Sequence, residues 1–77
     1  MKATSRHTLQ VLHDVGPCTS DLVADIHRAR GLEITDRAVR DHLVKLEKLG
    51  LAGRRRLGGK CHQWRIKPAG ERELERA

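Results

Sequence analysis

Aliphatic residues recur through the first fifty positions at the three- and four-residue spacing of amphipathic helices, and after Gly50 that period gives way to shorter ones. In SRHTLQVLHDVG, Leu9 and Leu12 share one face with Val11 and Val15 beside them. Ser5 reads as the N-cap of a helix over about 5–15. Gly16-Pro17 ends it, because proline cannot continue the hydrogen-bond ladder. In TSDLVADIHRARG, Thr19 is the capping candidate and Asp21 suits the positive end of the helix dipole. Leu22 and Ile26, with Val23 adjacent, mark the apolar stripe of a second helix over about 20–30. Gly31 stops it.

The clearest helical signal is ITDRAVRDHLVKLEKLG, over about 36–49. Thr35 stands at the N-cap, and Ile34 and Val39 have the spacing of a hydrophobic staple. Val39, Leu43 and Leu46 then form a stripe for burial. The opposite face carries Arg37, Asp41, Val44 and Lys48, with Arg40 and Lys45 on its flanks. Beyond Gly50, LAGRRRL and KCHQWRI read as two strands joined through Gly58-Gly59, a hairpin over about 51–67. Trp64 and Ile66 alternate with Arg65 and Lys67, which gives the hairpin a packing face and a wet face. Pro68 starts a short helix over about 68–76, in which Leu74 is the one large apolar residue. These elements predict a single α+β, mainly α, domain over residues 1–77.

Charge sharpens this picture. Residues 50–70 hold six Lys or Arg and no carboxylate, whereas residues 1–49 are nearly balanced, with eight bases against seven acids. The net charge of +6 is therefore a local feature of the hairpin, which points to a polyanionic partner. The apolar supply is small, with one Trp and no Phe or Tyr, so a large substrate cavity is not expected. No nucleophile and base fall in a catalytic arrangement either, and the expectation is a non-enzyme without cofactor or small-molecule substrate. Cys61 and His62 are adjacent and point to opposite faces of a strand, and no Cys-x-x-Cys spacing occurs, so no metal site is expected. His42 lies beside the buried stripe as a half-buried residue. With two cysteines and no long apolar run, the chain reads as a reduced cytoplasmic protein without a membrane segment.

The order of helix, helix, helix, basic hairpin and short helix, with ITDRAVRDHLVKLEKLGLA followed by WRIKPAG, resembles the winged helix-turn-helix family of small MarR-like and ArsR-like prokaryotic or phage regulators. The resemblance covers about residues 5–70 and implies a DNA-binding transcriptional regulator associated with the nucleoid. The third helix would then enter the major groove, with Thr35, Arg37, Ala38, Arg40, Asp41 and Lys45 as its contacts, and Arg can read guanine bidentately. Lys48 joins Lys45 towards phosphates. The hairpin would be the wing, with Arg54, Arg55, Arg56 and Lys60 around its tip on the backbone or minor groove. Thr19 and Ser20, at the cap of the second helix, would meet phosphates. Double-stranded DNA is the expected partner, with a second copy of the chain through the first helix, Val11 or Leu74. Two other classes stay open, a protein-interaction module on the same scaffold and RNA binding. The long dimerisation helices of MarR-like proteins and the metal-binding cysteine motif of ArsR-like sensors are both missing from these residues.

Overall fold

The computed structural model describes residues 3–59 and 61–76. Helix α1 runs Ala3–Val15, α2 Ser20–Ala29 and α3 Asp36–Lys48. Strands β1, Ala52–Gly58, and β2, Cys61–Ile66, pair antiparallel, and α4, Pro68–Glu75, follows. Two of the caps are threonines: Leu22 N donates to Thr19 Oγ1 at 3.4 Å and Ala38 N to Thr35 Oγ1 at 3.1 Å. Each satisfies a helix-start N–H that has no carbonyl partner within its own helix. Gly50, at φ 76°, turns the chain out of α3 and into the hairpin, a left-handed backbone that an L side chain resists.

The core is built from one face of each long helix and the base of the hairpin. Leu9, Val11 and Leu12 from α1, Val23 and Ala24 from α2, and Val39, Leu43 and Leu46 from α3 are all shut off from solvent. Ala52 and Trp64 close the end where the hairpin emerges. Trp64 does more than fill space. Its N–H donates to the Cys18 carbonyl at 2.7 Å and its carbonyl accepts from Cys18 N at 2.9 Å, a bridge that pins β2 against the link between α1 and α2. An indole buries on the order of 200 Å², worth at most about 5 kcal/mol of hydrophobic stabilisation, which makes Trp64 the largest apolar anchor of the hairpin. At the other end, Arg6 Nη2 donates to the Leu74 and Arg76 carbonyls at 3.1 and 2.9 Å and ties α1 to the last turn of α4.

Three expectations are corrected here. Helix α1 already includes Ala3 and Thr4, and Ser5 lies inside it and buried rather than capping it. Helix α2 buries Val23, Ala24 and His27, while Leu22 is 41% exposed and Ile26 only partly covered. The stripe is rotated because a histidine occupies a core position. Thr8 Oγ1 and His27 Nε2 lie 3.0 Å apart in the buried contact between α1 and α2, and a polar residue of this kind leaves no trace in a hydropathy pattern. Lastly, Val11 is fully buried, which removes it as a docking surface for a second copy, while Leu74 is half-buried against the core.

Candidate nucleic-acid interface

Helix α3 presents its N-terminal half outward by a small set of bonds at its start. Arg28 of α2 reaches across the loop: its Nη2 lies 2.8 Å from Asp36 Oδ1 and 3.4 Å from the Ile34 carbonyl, and its Nη1 lies 3.3 Å from Asp25 Oδ1. Asp36 is therefore engaged with α2, not with its helix neighbours Arg37 or Arg40. Those two arginines are exposed, as are Asp41, Lys45 and Lys48, and Ala38 is half-buried with its N–H held by Thr35. Asp41 lines a shallow groove with Val44, Lys45 and Lys48, with no ion pair formed to either lysine.

The hairpin register places Arg54 opposite Trp64 and Arg56 opposite His62 on one face, and Arg55 opposite Gln63 on the other. The pairing shifts between Arg56 and Gly58, where Leu57 is 54% exposed. Gly58 and Gly59 both take positive φ and close the turn. Arg54 sits at the base of the wing, not at its tip. Its Nε lies 3.1 Å from Glu47 Oε2 of α3 and its guanidinium carbon 5.7 Å from the centre of the Trp64 ring. A carboxylate outside the acid-free stretch thus reaches one of its arginines. Arg56 Nε donates to the Gly59 carbonyl at 3.1 Å, which curls it over the turn. Lys60 lies outside the described residues.

A cleft of about 280 Å³ opens where α2, α3 and the wing meet. Thr19 and Ser20 line it from the start of α2, Arg40 and Val44 from α3, and Arg54, His62 and Trp64 from the hairpin. Four of the residues singled out in the sequence, Thr19, Ser20, Arg40 and Arg54, are therefore brought together around one concavity. Thr35 and Arg37 stand at the start of α3, and Arg55 lies on the far face of the wing. Glu47 and His62 were not foreseen as part of this region. Glu47 precedes Arg54 by seven residues across the end of a helix, a separation for which no periodicity rule exists.

Ion pairing divides the surface in two. Arg28 is paired with Asp25 and Asp36, Arg30 with Asp14, and Arg76 with Glu73. Among the described residues, Arg37, Arg40, Lys45 and Lys48 on α3, and Arg55, Arg56, Arg65 and Lys67 along the hairpin, have no carboxylate within 4.0 Å. Among the described residues away from these two elements, Arg6, spent on α4 carbonyls, and Arg72 also lack one. A second concavity, of about 390 Å³, lies between α1 and the end of α2, lined by His7, Gln10, His27 and Arg30. It shares no residue with the first. Among the described residues no three His, Cys, Asp or Glu side chains gather as a metal cage, and no helix is long and apolar enough to cross a membrane.

The same architecture recurs in solved structures. RosR of H. salinarum superposes with a TM-score of 0.85 at 16% identity, over 97% of this chain and 68% of its own. BpsR of Bordetella bronchiseptica superposes at 0.84 and 20% identity, over 97% of this chain and 50% of its own. A probable transcriptional regulator from Pseudomonas aeruginosa superposes at 0.79 and 25% identity, over 97% and 55%. This chain spans only half to two thirds of the length of these proteins. No curated protein matches its sequence. The family model of the ribonuclease R winged-helix domain matches residues 6–74, from within α1 to the penultimate residue of α4, and covers α2, α3 and both strands of the wing. The chain belongs to the ribonuclease R winged-helix domain family.

Proposed function

We propose that this chain acts as one domain that binds double-stranded DNA as a small transcriptional regulator of the nucleoid. The observation that carries the reading is the segregation of charge: bases without a carboxylate partner collect on α3 and the wing, while most bases elsewhere are paired. A surface of one sign on a helix and an adjacent hairpin matches the phosphate lattice of a duplex. Arg37 and Arg40 read base edges from α3, with Thr35, Ala38 and Asp41 against the groove walls. Lys45 and Lys48 meet phosphates, as do Thr19 and Ser20 at the start of α2. Arg54, Arg55, Arg56 and Lys60 extend the contact along the backbone or minor groove. BpsR, a protein whose DNA binding is regulated by 6-hydroxynicotinic acid, supports this use of the fold. A single domain buries a modest area, so two copies on paired half-sites supply useful specificity.

Fluorescence anisotropy of a labelled random-sequence duplex, titrated at several salt concentrations, tests the reading. With five to eight phosphates neutralised, log K falls against log salt with a slope of about −5 to −7. A Lys45/Lys48/Arg55→Ala variant lowers the magnitude of that slope by up to about 3. No binding to the duplex at low salt overturns the proposal. A second reading, duplex RNA, is favoured by the family itself, which is named for a domain of a ribonuclease. Competition of unlabelled duplex RNA against the bound DNA separates the two, since shape recognition of an A-form helix makes RNA the stronger competitor.

A further inference from the structure

Both inner-face arginines of the wing are held, Arg54 by an ion pair and Arg56 by a hydrogen bond. Arg54 Nε lies 3.1 Å from Glu47 Oε2, and Arg56 Nε donates to the Gly59 carbonyl at 3.1 Å. Arg54 is held in a second direction as well, its guanidinium carbon 5.7 Å from the centre of the buried Trp64 ring. A guanidinium paired with a carboxylate on its Nε side and set over an indole keeps its terminal Nη donors for another acceptor, and among the described residues no hydrogen bond takes them. Arg54 lines the cleft together with Arg40. Asp21 stands on the α2 wall of the same cleft, which leaves the Arg40–Arg54 side as the place for an anion.

We infer that Glu47 is a positioning residue: with Trp64 it presets Arg54 so that the Nη edge receives one backbone phosphate of the bound nucleic acid beside Arg40. This rests on the nucleic-acid reading above. The gain is entropic, because an arginine already confined to one pose gives up less rotamer freedom when it binds. The inference runs against simple charge counting. Deleting Glu47 removes a negative charge next to a polyanion, which by itself tightens binding. Positioning demands the reverse.

Four variants, Glu47→Ala, Glu47→Gln, Arg54→Ala and the Glu47→Ala/Arg54→Ala double, are compared with wild type by duplex anisotropy. Nitrogen-15 NMR of the arginine Nε–H groups of the free proteins runs beside it. Glutamine keeps an acceptor for Arg54 Nε and alanine does not. The expected result is a distinct, motionally restricted Arg54 Nε–H signal in wild type and Glu47→Gln that Glu47→Ala loses. In binding, Glu47→Ala and Arg54→Ala each weaken the complex by about eightfold at about 0.1 M salt, the weight of one phosphate contact. The double variant is no weaker than either single one, and Glu47→Gln binds at least as tightly as wild type. Glu47→Ala binding as well as or better than wild type overturns the inference while leaving DNA binding intact. An averaged Arg54 Nε–H signal in wild type overturns it irrespective of any duplex. Wild type failing to bind duplex at low salt sinks the nucleic-acid reading, and the role of Glu47 with it, whatever the NMR shows of Arg54.

Discussion

Replacing Gly70 by alanine should destabilise the protein, although helix propensity alone says the opposite. Gly70 is the third residue of α4, and glycine inside a helix is worth up to about 1 kcal/mol less than alanine. The structure supplies the counterweight. A Cβ at this position would collide with the Leu51 carbonyl oxygen and stand 2.8 Å from Ile66 Cγ1 and 3.1 Å from Leu9 Cδ1. The two side chains have some room to give. The carbonyl has little, because it accepts from Lys67 N at 3.0 Å at the joint between β2 and α4. Overpacking of this kind costs about 1–3 kcal/mol, and its upper end applies where a backbone atom blocks the way. Weakening the Lys67–Leu51 hydrogen bond adds about 1 kcal/mol, and the gain in propensity returns about the same. The net loss is about 2–3 kcal/mol. For a domain of this size each kcal/mol shifts Tm by about 4–8 °C, so the Gly70→Ala variant should melt about 8–24 °C below wild type. Circular dichroism melts with matched urea titrations measure it. A variant that melts at or above the wild-type temperature would refute the packing argument and leave helix propensity as the governing term.

Two further predictions concern titratable groups. Burial, with His7, His42 and Arg30 adding positive charge nearby, holds the His27 imidazole below its ordinary pKa, so the unfolded chain takes up a proton that the folded one refuses. Stability is therefore full above about pH 6.5 and falls below it, by at most about 1.4 kcal/mol per pH unit, until the folded-state value is reached. Urea midpoints of wild type and His27→Gln across that range check this, and equal slopes in the two proteins would refute it. Burial also raises the Cys18 thiol, whereas Cys61 is exposed on the wing. A thiol reagent should modify one cysteine promptly and the second only as the protein unfolds; two fast equivalents would contradict the placement of Cys18.

The helices were legible because their signals are local. Thr35 three residues before Ala38, and Val39, Leu43 and Leu46 at steps of four and three, report one helix and its inward face without reference to anything distant. The hairpin could be read for the same reason, from Gly58-Gly59 between short strands. Where the pattern misled, a polar residue had taken a core position. His27 replaces a hydrophobe on the buried face of α2, so Leu22 and Ile26 looked like the stripe when Val23, Ala24 and His27 form it.

For this protein, the sequence by itself determined the element order, the two threonine caps, most of the core and the concentration of bases after Gly50. These depend on neighbours within a few residues, and short-range order is what a one-dimensional string preserves. Tertiary structure decided which bases remain free. By sequence distance Asp36 is nearer to Arg37 and Arg40, yet Arg28 reaches it across the loop. Glu47 lies outside the acid-free stretch and still claims Arg54. The bridge from Cys18 to Trp64 and the seat of Gly70 against Leu51 also join residues far apart in the chain. Pairing and close packing depend on distances of a few ångströms between elements, and only the folded chain sets those distances.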